Sequence, residues 1–155
     1  MVDRSTQVRT ITMMASECQR IVARHDELLF KIKALAATLW AAASGWAISS
    51  DSPELLFVAL FAVAGLWFVA ATFRGAQKRY IQRSDALHKF LMDAEALSEF
   101  ESGGDLPDGV PDSLGGYEPR LDRAKLLLRG LVSPTVSVFY SFFCLISVLL
   151  YVELK

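Results

Sequence analysis

The sequence predicts an all-α membrane protein. Three transmembrane helices are expected, the first continuous with a long cytoplasmic N-terminal helix, and a cytoplasmic amphipathic helix lies between the second and the third. Three observations point there. Apolar residues make up 53% of the 155 residues and charged residues 21%, ten of the residues are Phe, and the mean hydropathy is +0.34. A soluble domain of this length has too little interior to hide that much apolar surface. Three stretches lack Asp, Glu, Lys, Arg and His altogether, and from Thr6 to Leu35 there is neither Gly nor Pro to stop a helix.

The uncharged stretches are Ala34 to Ser50 (17 residues), Leu55 to Phe73 (19) and Leu131 to Val152 (22). A helix needs about 20 residues to cross the hydrocarbon core, with a range of roughly 17 to 25. The first stretch sits at the short limit. It borrows Phe30 and Ile32 from the charged helix before it, while Lys31 and Lys33 snorkel. The first two spans are joined only by residues 49–54, Ser-Ser-Asp-Ser-Pro-Glu, so they form an antiparallel hairpin with Pro53 at a helix start. The chain thus divides into a helical arm (1–33), a transmembrane hairpin (34–73), a cytoplasmic helix with an acidic loop (74–130) and a third transmembrane helix (131–155).

Orientation follows from charge. The hairpin loop has no Lys or Arg, whereas the arm has six and the segment between spans two and three has nine. The positive-inside rule puts both polar segments in the cytoplasm. In a bacterial inner membrane the C-terminus is then periplasmic. The first apolar run lies too deep for a signal peptide, so the polar N-terminus is expected to stay on the protein.

Within the arm, Ile11, Met14, Cys18, Ile21, His25, Leu28 and Ile32 recur in alternating steps of three and four, an a/d heptad seam. Continued through Leu35, Leu39, Ala42 and Trp46 it makes one rod of roughly 40 residues, about 60 Å long. Such a seam is unstable bare in water. It is covered by residues 74–100, where Tyr80, Leu87, Phe90, Leu91, Ala94 and Leu97 share a face, by copies of the chain in a homo-oligomer gated along the seam, or by both together. The small row Ala37, Ala41 and Gly45 in the first span supports close helix approach in lipid.

In the third span Ser133, Ser137, Tyr140, Cys144, Ser147 and Tyr151 fall on one narrow face. Hydroxyls along a whole transmembrane face need partners: neighbouring helices, or water in a pore that they line. The absence of ionisable groups from all three spans argues against a proton-coupled transporter.

The cytoplasmic middle holds Arg74, Lys78, Arg79 and Arg83 just inside the second span. Asp93 to Asp112 follows with seven acidic residues and no Lys or Arg, ending in a Gly- and Pro-rich loop from Ser102. Arg120, Arg123, Lys125 and Arg129 then lead into the third span on an amphipathic helix with Leu121, Ala124 and Leu128. The basic clusters anchor the protein at anionic headgroups. Alternatively Arg20, Arg24, Arg74, Lys78, Arg79 and Arg83 converge as a ligand site for phosphates. Sixteen Lys and Arg against seventeen Asp and Glu leave a net charge of −1, so direct binding of duplex nucleic acid is not expected.

No enzyme and no cofactor are expected, because the chain lacks a Gly-rich phosphate loop, a Ser-His-Asp order and a Cys/His metal cluster. Cys18 and Cys144 read as small packing residues. Arg83-x4-His88 and Arg20-x4-His25 match the R-x4-H pattern of HEPN-type ribonucleases, in which His88 would act as general acid and base. Ten Arg in a short chain make such a spacing common.

With the charged arm, the short-looped hairpin from Lys31 to Phe73 and the helix from Arg74 to Phe100 together, the chain resembles SLATT-type proteins and the transmembrane effectors of the Pycsar, CBASS and Hailong systems of bacterial anti-phage defence. That resemblance implies a homo-oligomeric channel or pore, four-fold in the simplest case, embedded in membrane lipids. It would be gated from its cytoplasmic helices by a nucleotide second messenger from a partner nucleotidyltransferase. A non-conducting membrane anchor or adaptor for a cytoplasmic partner is the alternative.

Overall fold

With nothing to interrupt it, the arm runs into the first span as a single helix. In the computed structural model α1 covers Arg4–Ser49, 46 residues. Residues 4–111 and 120–154 are described, the side chains of 120–123 and 126 excepted. The chain reverses through residues 50–54, where Asp51 takes a positive φ of 50° and the Ser52 amide bonds back to the Ala47 carbonyl at 3.0 Å. α2 then spans Leu55–Met92, 38 residues, so the second span and the amphipathic segment after it are one uninterrupted helix.

That helix ends earlier than the Phe100 expected from periodicity. Asp93 turns extended (φ −86°, ψ 97°) and its side chain accepts from the Ala96 amide at 3.1 Å, capping a separate α3, Ala94–Glu101. An Asp that satisfies a free helix-start amide favours a new helix over continuing the old one. α3 closes at Ser102, and Gly103 follows with a φ of +117°, a conformation that suits glycine. α4 covers Arg120–Leu131 and α5 covers Pro134–Glu153, separated by Ser133 at the cap position and Pro134 in the first turn. The Asp112 end of the acidic loop and the side chains of Arg120, Leu121 and Arg123 lie outside the described residues. All described elements are helical, and α1, α2 and α5 are long and apolar enough to cross a membrane.

Two compact units divide the chain, the first from Met1–His25 with Ala76–Pro119, the second from Asp26–Gly75 with Arg120–Lys155. α1 and α2 each contribute to both, and the divisions fall near 25/26 and 75/76 rather than at the membrane edges read from hydropathy. The polar unit packs Ile11, Ala15 and Cys18 of α1 against Leu87 and Phe90 of α2 and Phe100 of α3. The Phe90 and Phe100 rings meet edge-on at 5.7 Å. Each fully buried large apolar side chain of this kind contributes about 1.5–3 kcal/mol in water. Gln77, fully buried, donates through Nε2 to the Val22 carbonyl at 3.1 Å and pins α1 to α2.

In the apolar unit the core is Leu29, Ala36, Val63, Ala70, Val136, Tyr140 and Phe143, drawn from α1, α2 and α5. Gly130 of α4 sits so close to α2 that a Cβ there would collide with the Ala71 carbonyl. Outward, Phe61 is 81% exposed and Val138 69%, with Phe57, Phe68, Phe142 and Leu145 also exposed. Such a surface is untenable in water and ordinary in lipid.

Candidate functional site

Each residue of the α5 stripe lies on the side of the helix that faces α1 and α2. Ser133, Tyr140 and Ser147 are buried, and Ser137, Cys144 and Tyr151 are half-buried. The hydroxyls of Ser137, Tyr140 and Ser147 are in use inside the chain. The Ser147 hydroxyl accepts from the Trp40 indole N–H at 2.8 Å and donates to the Phe143 carbonyl at 2.8 Å. The Ser137 hydroxyl donates to the Ser133 carbonyl at 3.1 Å, and the Tyr140 hydroxyl donates to the Leu66 carbonyl at 3.4 Å. Tyr140 stacks on Trp67 with centroids 6.1 Å apart, and Tyr151 meets Phe57 edge-on at 5.2 Å. For Tyr140, Ser147 and Tyr151 neighbouring helices of the same chain supply contacts, while Ser137 bonds within its own turn. Trp40, the partner of Ser147, is a participant that sequence periodicity does not single out.

The opposite side of the first span differs. Ala34, Thr38, Ala41, Gly45 and Ser49 are exposed in steps of four, three, four and four. At 100° per residue they gather on a face about 150° from the buried Ala36, Ser44 and Ala47. A Cβ added to Gly45 would meet nothing within 4 Å. Leu35, Leu39 and Trp46 flank the strip on one side. Of the predicted small row, Ala41 and Gly45 belong to this open face and Ala37 sits half-buried at its edge.

The seam of the arm is occupied within the chain. Ile11 and Cys18 are buried, and Met14, Ile21, His25, Leu28 and Ile32 are half-buried. Ala15 and Leu29 are buried, beside the heptad positions Met14 and Leu28, which are half-buried. At Ala15 the small side chain allows the closest approach between helices, which a count of large apolar side chains passes over. The His25 Nδ1–H donates to the Ile21 carbonyl at 2.8 Å, and its ring faces Tyr80 at 5.9 Å. Burial pushes the Cys18 thiol above its ordinary range. The Arg83 guanidinium opposes that rise and Glu17 adds to it.

Of the basic residues proposed as a ligand site, two come together. Arg79 and Arg83, one turn apart on α2, line a cavity of about 260 Å³ with Gln82 and Ala86, and Gly109 and Pro111 of the loop form its far wall. Both residues also take part in further interactions within the protein. Gln82 was not singled out from sequence, since its role depends on the loop folding back over α2. The others go different ways. Arg20 is exposed and paired with Glu17 at 2.8 Å, and Arg24 is exposed. Arg74, in the apolar unit, faces Asp26 at 3.8 Å. Lys78 is half-buried and does not line the cavity.

For the two R-x4-H pairs, five helical residues separate Arg from His by about 140° around the axis. His88 is engaged by Gln19, whose Nε2 donates to its Nε2 at 2.6 Å. Neither pair is drawn to a common cavity among the described residues. Among the described residues every element is a helix, and three of the helices are long and apolar enough to cross a membrane. No family model, curated protein or solved structure matches it.

Proposed function

We propose that the protein is a homo-oligomeric ion channel or pore of the bacterial inner membrane, acting as an effector in anti-phage defence. Its copies meet along the outward face of the first span. The observation that carries this reading is the exposed strip Ala34, Thr38, Ala41, Gly45 and Ser49. Lipid-facing helices gain by presenting bulky chains, as α2 and α5 do with Phe61 and Val138. Small residues allow backbones to approach, and one weakly polar helix face from each copy suffices to border a narrow path. The hydroxyls of Ser137, Tyr140 and Ser147 on the α5 stripe bond within the chain, which supports α1 as the pore-bordering helix.

Gating is assigned to the polar unit, held in the cytoplasm with the N-terminus by the positive-inside rule, and the C-terminus is periplasmic. Arg79, Gln82 and Arg83 are suited to phosphates of a nucleotide signal made by a partner nucleotidyltransferase, because paired guanidiniums bind such oxygens with charge-assisted hydrogen bonds. α1 and α2 continue from that unit into the spans, which gives a bound ligand mechanical access to them. A second reading, a non-conducting membrane anchor or adaptor, is favoured by the same internal satisfaction of the α5 stripe. Ion flux from liposomes containing only this protein separates the two. Flux that responds to added nucleotide and is lost on Arg79→Gln with Arg83→Gln supports the channel. Oligomers that pass no ions under either condition support the anchor.

A further inference from the structure

A second cavity in the polar unit has a different chemistry from the arginine-lined one. It measures about 430 Å³, within the range of roughly 300–1,000 Å³ that small-molecule sites occupy. Ile11 and Met14 of α1, Phe100 of α3 and Leu106 of the following loop give it apolar walls. Arg4 and Gln7 stand at its polar end. The Arg4 guanidinium is fixed there: it lies 4.8 Å over the Phe100 ring, donates to the Gln7 Oε1 at 3.3 Å, and donates to the Gly103 carbonyl at 3.2 Å. Five N–H donors on one guanidinium leave capacity beyond those two bonds. No Asp or Glu is among the lining residues. A held cation beside an apolar slot, with no carboxylate among the described lining residues, matches a molecule with an apolar body and one negative end.

We propose that this cavity binds a single-chain anionic amphiphile of the fatty-acid class. Its carboxylate meets Arg4, and its chain runs along Ile11, Met14, Phe100 and Leu106. The site bridges the start of α1 to α3 and its loop, so occupancy stiffens the polar unit. The proposal does not rest on the channel reading, and the arginine cavity of α2 plays no part in it.

The test is photolabelling of the full-length protein in nanodiscs with a diazirine-bearing dodecanoic acid, followed by mapping of the modified peptides. Adducts are expected within residues 4–14 and 97–106. Excess dodecanoate should suppress them, whereas dodecyl maltoside, with the same tail and a neutral head, should not. Arg4→Gln should lower labelling about tenfold, the loss of one charged hydrogen bond. Leu106→Trp, which fills the slot and keeps the cation, should lower it as well. Both variants are to be checked for unchanged helicity. Adducts confined to the apolar spans at 34–73 and 134–153, equal competition by the neutral amphiphile, or full labelling of Arg4→Gln would each overturn the proposal.

Discussion

Two stretches of the same helix treat their small and apolar residues in opposite ways. Between Val8 and His25, α1 turns Ile11, Ala15 and Cys18 onto α2 and α3, and all three are at most 5% exposed. Between Ala34 and Ser49 it buries Ala36, Ser44 and Ala47 and leaves Ala34, Thr38, Ala41, Gly45 and Ser49 open on the far side. The difference follows from the solvent each stretch is suited to. In water a bare seam costs free energy for every apolar side chain, so the chain covers it with its own helices. In lipid an uncovered small-residue face carries no such cost, and it is the geometry that admits another helix closely. The arm therefore does not require sister copies for its stability, and any assembly is expected through the span.

The largest effect that would sharpen this contrast is in the polar stretch. Phe90→Ala removes the ring that packs between α1 and Phe100, and should destabilise the polar unit by about 3–5 kcal/mol. Hydrogen exchange of the α1 amides around Cys18 reads it. A loss below about 1 kcal/mol would mean that the seam is not covered within one chain.

Ala41→Leu combined with Gly45→Leu addresses the open stretch. Neither side chain enters the protomer's own core, so its thermal stability should stay within about 0.5 kcal/mol. Association between copies should weaken by about 2 kcal/mol through overpacking, roughly thirtyfold, and liposome flux should fall with it. A protomer that unfolds, or flux that is unchanged, breaks the assignment of that face.

A smaller effect is expected on the inner side of the span. Ser147→Ala deletes the acceptor of the Trp40 indole. Hydrogen bonds between helices in membranes are worth about 0.6 kcal/mol on average, so a loss of about that size is expected in unfolding experiments. If Ser147→Ala instead alters conductance and leaves stability untouched, the stripe borders the path after all.

The smallest signal concerns Cys18, read in a Cys144→Ala background. Burial holds the thiol in its neutral form above the usual range, so less of it is thiolate at any given pH than for a free cysteine. Alkylation should be slow at pH 8 and still rising steeply at pH 10, where an ordinary cysteine has almost levelled off. A profile that levels off by pH 10 would place Cys18 in an open, water-exposed seam.

Much of this architecture is legible in the sequence, for a local reason. Uncharged runs and a Gly- and Pro-free stretch of α1 declare helices without reference to anything distant. The stripe on α5 is equally readable as a face, since periodicity fixes which residues lie together. What covers that face is a tertiary fact, seen in the Trp40 to Ser147 hydrogen bond and in the stacking of Tyr140 on Trp67. The break at Asp93 was hidden because neither Gly nor Pro marks it. The pairing of Arg79 with Arg83 in one cavity depends on where Gly109 and Pro111 return, some thirty residues later. Ala15 displaced Met14 from the buried line because the closest point of two helices rewards the smaller residue.

Native mass spectrometry of the intact protein, released from bilayers under gentle conditions, tests most directly the claim that copies assemble through the first span. The protomer has a mass of 17.2 kDa. A defined integer multiple of that mass is expected, shifted to the single protomer by Ala41→Leu with Gly45→Leu. A single protomer in the unaltered protein, at every concentration tried, would contradict it.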